Sequence, residues 1–458
     1  MDRIRNRLDS LLTTELFSWP ELRKMFLTLL LDSFFIFFIS VLSSMLVSRV
    51  GEAAMAATSL VGTVNGMVSI IFSSLASGGA IAVARAKGRG DMLEIQRAIG
   101  EVTGVCFLAA LLLSSLLYLG ADSVVTTLYP DVEPLVRDYA VSYMRLMCIS
   151  FLPFSIFNAI FNIFRNLGDT RSSLLLTVVI NLSHLLLCLL FINGLNLGIN
   201  GAGLSYITAR TIGMVLALTW ILKVHNEYHV RVSYFFRFRA EVTRDIFSLG
   251  MPLAVESLLL QGGMLLVNIY LAKLSTGDMA AHARANSILN LYQATPGALT
   301  SLVCTVCGQA YGAGKYDLTR SYGRNLIRVG RYAMALTSLV LYPLTPVLLM
   351  LYNVPAESVS TIYLCLGIAA AGLPLFACDS NITAVVLRVA GDGTFTGVCA
   401  VAALAVGRCA LGYVLTIVCG LGVPGIWIAL VAEWILRSAA QHLRLRGERW
   451  LHLKEKAA

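Results

Sequence analysis

Four acidic side chains lie inside long apolar stretches of this chain: Asp32, Glu256, Asp379 and Glu433. A charged side chain at the centre of a membrane costs about 2.5–3.5 kcal/mol on insertion scales, so such a residue is a functional candidate by default. Two carboxylates at matched depth in a low dielectric favour binding a cation or sharing one proton. Glu256 and Asp379 meet this condition by their distance from the nearest cytoplasmic helix ends, and we predict that they bind a coupling cation, Na⁺ or H⁺. The alternative is a structural pair with an intramembrane arginine such as Arg284 or Arg408.

Asp32 opens a polar stripe on the first apolar segment. At 100° per residue, its side chain and those of five serines fall within an arc of about 160°; the stripe comprises Asp32, Ser33, Ser40, Ser43, Ser44 and Ser48. We predict that Asp32 and Ser43 line a substrate cavity. The alternative for the serines is hydrogen bonding to backbone carbonyls where helices touch.

Other polar groups occupy related positions in the two halves of the chain. Asn158 is the counterpart of Asn381, and His184 is the counterpart of Arg408. With Asn181, these residues are further candidates for lining the cavity. A histidine near the membrane centre could shuttle protons, or it could be a neutral, hydrogen-bonded core residue.

The composition explains why these residues stand out. Hydrophobic residues form 57% and charged residues 13% of the 458 positions, against about 45–50% and about 25% in soluble proteins. Twelve apolar runs are long enough to cross a bilayer as helices: 24–47, 57–84, 98–119, 135–163, 172–193, 200–223, 245–272, 280–311, 324–350, 358–387, 395–418 and 423–443. The sequence therefore predicts an all-α membrane protein with twelve transmembrane helices.

Three short segments recur at an offset of 223 or 224 residues: AKGRG at 86–90 and AYGAG at 310–314, RNLGD at 165–169 and RVAGD at 388–392, GING at 198–201 and GVPG at 422–425. A constant offset indicates an internal repeat of six spans. Because six is even, both copies start on the same side of the membrane, which predicts two pseudo-symmetric six-helix lobes related as parallel repeats. The predicted divisions are a cytoplasmic amphipathic segment 1–23, lobes 24–223 and 245–443, a cytoplasmic linker 224–244 and a cytoplasmic tail 444–458.

The net charge of +9 arises mainly from basic residues at the ends of the spans on one side. By the positive-inside rule, both termini are cytoplasmic, and we expect a multi-pass protein of a bacterial-type cytoplasmic (inner) membrane. A nucleic-acid partner is not favoured, because the basic residues border apolar spans instead of forming one patch.

The chain resembles the multidrug and toxic compound extrusion (MATE) family. The matching segments are VSRVGEAA at 47–54, ARAKGRGD at 84–91, RNLGDT at 165–170, GINGAG at 198–203, AAH at 280–282 and GQAYG at 308–312. The resemblance implies two six-helix lobes that export bulky cationic or amphipathic compounds by alternating access, driven by Na⁺ or H⁺ entry.

The chain departs from the family at two positions. Ser43 stands where the family commonly has an aspartate in the first helix, and Leu185 stands where it has one in the fifth, beside His184. Asp32 is therefore a candidate to replace the missing acid, while Glu256 and Asp379 approximate the family's second-lobe carboxylates.

The resulting prediction is a secondary active antiporter for multidrug efflux, a monomer without a cofactor and without enzymatic activity. Its partners would be an organic cation or amphiphile and the lipid bilayer. A dedicated exporter of one natural product or peptide is the alternative. A lipid-linked oligosaccharide flippase is less favoured, because it requires a strongly cationic cavity and the candidate arginines are scattered along the sequence: Arg145, Arg210, Arg284 and Arg408.

Overall fold

The computed structural model describes residues 15–47, 52–130, 133–224, 228–271, 273–351, 356–447 and 450, with backbone only at 37–47, 52–55, 193, 241, 276, 351 and 356. Most of the predicted amphipathic segment 1–23 and most of the tail 444–458 lie outside these residues. Within them, every regular element is a helix. The all-α prediction is confirmed.

Seven α-helices form the first half: α1 (Trp19–Val47), α2 (Glu52–Arg89), α3 (Met92–Leu119), α4 (Ala121–Leu128), α5 (Pro134–Leu167), α6 (Thr170–Cys188) and α7 (Gly198–Thr219). Wider π-helical turns extend α6 through Leu189–Gly194 and α7 through Trp220–Val224. A short 3₁₀ helix, Val232–Phe236, lies in the linker to the second half.

Ten α-helices form the second half: α8 (Ala240–Leu271), α9 (Thr276–Tyr292), α10 (Ala294–Gly312), α11 (Tyr316–Leu341), α12 (Thr345–Leu351), α13 (Ala356–Gly372), α14 (Cys378–Ala390), α15 (Gly393–Ala403), α16 (Leu411–Tyr413) and α17 (Val423–Arg446). The π-helical segment Leu373–Ala377 joins α13 to α14, and Leu404–Ala410 and Val414–Val418 flank α16. A π turn widens the helix locally and often marks a functional site.

Nine helical segments of the described residues are long and apolar enough to cross a membrane. Helical structure also occupies the three other predicted spans, namely α1, the pair α9 and α10, and α11. The eighth span is divided because α9 ends at Tyr292 and α10 begins at Ala294. The ninth is strongly amphipathic, with arginines at 320, 324, 328 and 331.

Glycines with positive φ confirm the internal repeat at the level of the backbone. The matched pairs are Gly90 and Gly314 (φ 74° and 72°), Gly168 and Gly391 (88° and 101°), and Gly198 and Gly422 (55° and 59°). Gly168 and Gly391 each cap a helix in the left-handed conformation, which a side chain would strain. The segments that recur in the sequence are therefore the turns that end or begin equivalent helices.

The chain forms two compact units, which we call the N-terminal unit (34–254) and the C-terminal unit (1–33 with 255–458). It passes from one unit to the other inside two helices, after Ser33 of α1 and after Ala254 of α8. Asp32 and Glu256 lie within two residues of these points. The predicted lobe limits follow the sequence repeat instead and stay a prediction.

The start of α8 is fixed to α3 within the N-terminal unit. Glu101 of α3 is 1% exposed and accepts hydrogen bonds from the Arg239 backbone N–H (2.7 Å) and the Thr243 hydroxyl (2.9 Å). A Cβ at Gly104 would lie 1.9 Å from the carbonyl oxygen of Phe235, so the linker touches the bare backbone of α3. These contacts set where α8 begins.

Candidate coupling site and substrate cavity

Glu256 lies on α8, 4% exposed, beside two arginines of other helices. Arg388, in the last turn of α14, donates from Nη2 to both carboxylate oxygens, at 2.8 Å and 2.6 Å. Arg437 of α17 lies farther away, with its Nη2 3.9 Å from Oε1. Charge-assisted bonds of this kind are among the stronger hydrogen bonds in proteins. They attach α8 to α14.

The pair continues into a longer chain of charges. Arg437 also lies 3.9 Å from Glu433, one turn earlier on α17, and Glu433 Oε2 lies 2.6 Å from Nε of Arg408. Three arginines and two glutamates, each side chain at most 16% exposed, thus form what we call the charge network: Arg388, Glu256, Arg437, Glu433 and Arg408. Its net charge is +1, because the arginines outnumber the acids by one.

The local backbone permits this approach. Arg408 lies in the π-helical segment Leu404–Ala410, directly after Gly407. A Cβ at Gly407 would lie 2.8 Å from the Cα of Glu433, so only glycine allows this segment to contact α17 so closely. The glycine therefore sets the distance between Arg408 and Glu433.

Asp379, at the start of α14, is held by a different arginine. Arg331 of α11 donates from Nε and Nη2 to its two oxygens, at 2.8 Å and 2.5 Å. In the described part of the chain, no hydrogen bond or ion pair joins Asp379 to Glu256. Both acids therefore have arginine partners, as the structural alternative supposed, but the partners are Arg331 and Arg388 instead of Arg284 or Arg408. The cation-coupling role of Glu256 and Asp379 stays a prediction.

Asp32 of α1 is fully buried in the C-terminal unit. The side chain of Ser43 lies outside the described residues. Asn381 is half-buried on α14, two residues after Asp379. That these residues line a substrate path stays a prediction.

The asparagine candidates of the first repeat take part in hydrogen bonds within the N-terminal unit. Asn158 of α5 donates to the Ser73 hydroxyl (2.8 Å) and accepts from Asn162 (2.9 Å). Asn181 of α6 donates to the carbonyl of Thr177 (2.9 Å) and is half-buried. The hydrogen bond from Asn158 to Ser73 links α5 to α2, whereas that of Asn181 stays within α6.

His184 lies in an aromatic environment instead of an acidic one. Its ring is 4.1 Å from that of Tyr206, and its Nε2 is 3.5 Å from Sγ of Cys188. The guanidinium of Arg210 lies 5.0 Å from the same tyrosine ring and donates to the Ser150 hydroxyl at 2.6 Å. Among the described residues, no carboxylate pairs with Arg210.

A cavity of about 140 Å³ lies inside the C-terminal unit, beside Arg408. Its polar lining comes largely from α9, where three side chains follow one helix face, His282, Asn286 and Asn290, and from Gln293, which directly follows the helix. The sequence predictions do not include them, apart from His282 as part of a family motif. The signal is present in the sequence, since polar residues at i, i+4 and i+8 of an apolar helix mark one face.

Two arginines of the site have buried partners that their positions in the sequence do not indicate. Arg388 and Arg331 lie in basic segments, which predict cytoplasmic helix ends, yet both hold buried carboxylates. Long basic side chains at helix ends can reach inward along the helix. Their partners on other helices cannot be read from spacing along the chain.

The MatE family model matches residues 29–190 and 252–414, one segment in each repeat. The chain therefore belongs to the MatE family. Together with the fold, this makes it a multi-pass membrane protein of the transporter class, with twelve helices in two six-helix lobes.

Relatives and solved structures agree with this assignment. The chain is 20% identical over 401 residues (87% of this chain, 85% of the other) to a probable multidrug resistance protein NorM of Thermotoga maritima. It is 20% identical over 422 residues (89% and 90%) to the uncharacterized transporter YisQ of Bacillus subtilis. Its fold is similar to a crystal structure of MATE in complex with MaL6 (TM-score 0.86, 16% identity, 95% and 97% covered). It is also similar to a crystal structure of a mutant of the Vibrio cholerae MATE transporter VcmN (TM-score 0.83, 18%, 94% and 98%).

Proposed function

We propose that this protein is a secondary active antiporter that exports amphipathic organic compounds, driven by the entry of protons. Family membership and relatives named as multidrug resistance proteins support the export of organic compounds. The proposed site is a bacterial-type cytoplasmic membrane, with both termini cytoplasmic and the protein acting as a monomer. The repeats 24–223 and 245–443 serve as its two lobes.

The observation that carries the coupling proposal is the position of Glu256. It lies two residues after the point where α8 passes between the compact units, and Arg388 attaches it to α14. A change in the charge of this carboxylate therefore acts directly on the helix that connects the units.

The contacts of Glu256 favour a proton over sodium. Both of its oxygens already accept hydrogen bonds from Arg388, so a sodium ion would lie beside a guanidinium of the same charge. A proton needs only one of these oxygens and no shell of further ligands; it neutralises the carboxylate and releases the arginine. The same argument applies to Asp379 and Arg331.

Protonation of Glu256 would remove the attraction that holds Arg388. Helix α8 would then lose its ionic attachment to α14 and its weaker one to α17, while the Glu433 pairs remain. Proton binding thus favours a second arrangement of α8, which is the requirement for coupling an ion gradient to alternating access.

Dye efflux from drug-sensitive bacterial cells provides the test. Cells that express the full chain should extrude ethidium or an anionic amphipathic dye in a way that a proton uncoupler abolishes and sodium removal does not. Everted membrane vesicles should lose part of their acid interior when the exported dye is added. Export that depends on sodium and survives the uncoupler would contradict proton coupling.

The double substitution Glu256→Gln with Arg388→Gln is the matched variant, because it removes both charges and leaves no unpaired ion. It should assemble in the membrane and fail to couple. Efflux and vesicle alkalinisation equal to wild type would remove Glu256 from the coupling role.

A further inference from the structure

Two buried polar atoms of the cavity beside Arg408 lack hydrogen-bond partners among the described residues. Trp427 is 1% exposed, and its Nε1–H, a donor only, has no partner among the described residues. His282 is 9% exposed, and its Nδ1 likewise has none there. Buried polar atoms left without partners are uncommon and require an explanation.

Arg408 adds a charged donor at the same place. Its Nε lies near Glu433, and its Nη1 contacts the thioether of Met264 at 2.9 Å, a weak acceptor. Arg408 lines the cavity, and the donor capacity of its Nη1 is only weakly used by the thioether.

The charge around the cavity is positive. Among the described residues that line it, there is neither an aspartate nor a glutamate, and the neighbouring acid, Glu433, is shared between Arg408 and Arg437. The charge network as a whole carries +1. A cationic ligand would thus meet an arginine without a free carboxylate, whereas an anion would complete the set of acceptors.

The rest of the lining is largely apolar. Helices α8 and α17 contribute Val267, Leu430 and Trp434. A cavity of about 140 Å³ holds a head group, since drug-sized pockets occupy about 300–1,000 Å³. A ligand with a small charged head and an apolar or aromatic body suits this lining of polar and apolar side chains.

We propose that this cavity binds the anionic head, a carboxylate or a phosphate, of an amphipathic substrate. The anion would accept hydrogen bonds from Arg408 and Trp427, with His282 at its side and the α9 amides around it. The inference rests on the proposed export function and gives the substrate class. It replaces the expectation of a cationic substrate that the buried acids suggested.

Binding to the purified full chain in detergent tests the proposal without any ion gradient. Four probes share one body and differ in the head: 4-butylbenzoate, 4-butylphenyl phosphate, 4-butylbenzamide and 4-butylphenyltrimethylammonium. Thermal unfolding and tryptophan fluorescence report binding. We expect the benzoate or the phosphate to bind about tenfold or more tightly than the amide and the ammonium compound. Tighter binding of the phosphate probe would indicate a lipid-like or phosphorylated substrate. Tighter binding of the benzoate probe would indicate an organic acid.

Substitutions at the two partners of one ion pair should act in opposite directions. Glu433→Gln releases Arg408 and should tighten binding of the anionic probe, whereas Arg408→Gln should weaken it about tenfold. If Arg408→Gln does not fold, Arg408→Gln with Glu433→Gln removes both charges and should lose the preference for the anion. Arg145→Gln, at an exposed arginine of the N-terminal unit, is the matched control and should change nothing.

Three results would overturn the proposal. They are equal or tighter binding of the ammonium probe, unchanged affinity in the Arg408 variants, and no binding of either anionic probe up to its solubility. If anionic probes bind but efflux never depends on protons, the coupling proposal fails and this one stands. If efflux is proton-driven but anions do not bind, the reverse holds.

Discussion

The two repeats of this protein share a backbone plan and differ in their buried charges. The left-handed glycines occur as matched pairs, such as Gly168 and Gly391. In contrast, the positions that correspond to Arg408, Glu433 and Arg437 of the second repeat are occupied by a histidine, an alanine and a glycine: His184, Ala209 and Gly213. Three of the five residues of the charge network therefore have no permanently charged counterpart in the first repeat.

This difference separates what the fold requires from what the function requires. Both repeats need the same turns, because equivalent helices end in the same way. Among the described residues, these side chains of the second repeat form a buried ionic network, and buried charges are costly in a membrane and therefore indicate a function. Other polar residues of the first repeat form neutral contacts, such as the one between Asn158 and Ser73.

The largest loss of stability is expected when the ion pair of Glu256 with Arg388 is broken. Glu256→Gln leaves Arg388 buried without its carboxylate, and breaking such a pair costs about 3–5 kcal/mol of stability. Thermal unfolding in detergent should show a large fall in Tm. Adding Arg388→Gln should recover most of it, because the unpaired charge is gone.

The comparison in the first repeat is Asn158→Ala, at a buried polar residue without charge. It removes two neutral hydrogen bonds and should cost about 1–3 kcal/mol. A loss as large as that of Glu256→Gln would mean that the repeats do not differ in the way the charge network indicates.

A second effect concerns the close contact at Gly407. An added methyl group would press on the backbone of Glu433, so Gly407→Ala should cost about 1–3 kcal/mol and weaken the pair of Arg408 with Glu433. The corresponding residue of the first repeat is Ser183, where Ser183→Ala should stay within about 0.5 kcal/mol. Chemical denaturation of both variants measures the difference.

The third prediction tests the shared backbone. Gly168→Ala and Gly391→Ala both force an alanine into the left-handed region and should each cost about 1–2 kcal/mol. Equal losses in Tm would support equivalent helix ends. If only one of the two variants is destabilised, the repeats differ at this turn as well.

The smallest effect is expected at an exposed ion pair of the C-terminal unit. The hydrogen bond and charge of Lys315 lower the pKa of Glu15 below its ordinary value of 4.5. Stabilisation from a lowered carboxyl pKa is present above that ordinary value and is lost as the pH falls through the lowered one. The difference in Tm between wild type and Lys315→Ala should thus be small at neutral pH and vanish in acid. This difference in Tm should also shrink in high salt, whereas the contribution of the buried charge network to stability should depend little on salt.

The sequence predicted the parts of this fold that depend on local pattern. Apolar runs indicated the helices, and the constant offset of the glycine turns indicated the repeat. The offset also identified Asp32 and Glu256 as counterparts, and both are buried. Their predicted depth in the membrane selected Glu256 and Asp379 as unusual residues. Their arginine partners explain how these two charges can be buried.

Contacts between distant helices could not be predicted in the same way. Arg388 is 132 residues from Glu256, and its place near a helix end indicated a cytoplasmic position. The charge network depends on the meeting of α8, α14, α17 and the π-helical segment Leu404–Ala410, and Gly407 lets that segment approach α17. The polar face of α9 could have been found from its spacing, but its relation to Arg408 could not.

Proton movement in proteoliposomes tests the central claim, that the charge network of the second repeat couples ions to export. A pH-sensitive dye inside the vesicles would report proton flux when an exported compound is added. We expect flux from wild type and from Arg145→Gln, and none from the double variant Glu256→Gln with Arg388→Gln. Proton flux that persists in the double variant, or that is lost only in Arg145→Gln, would contradict the claim.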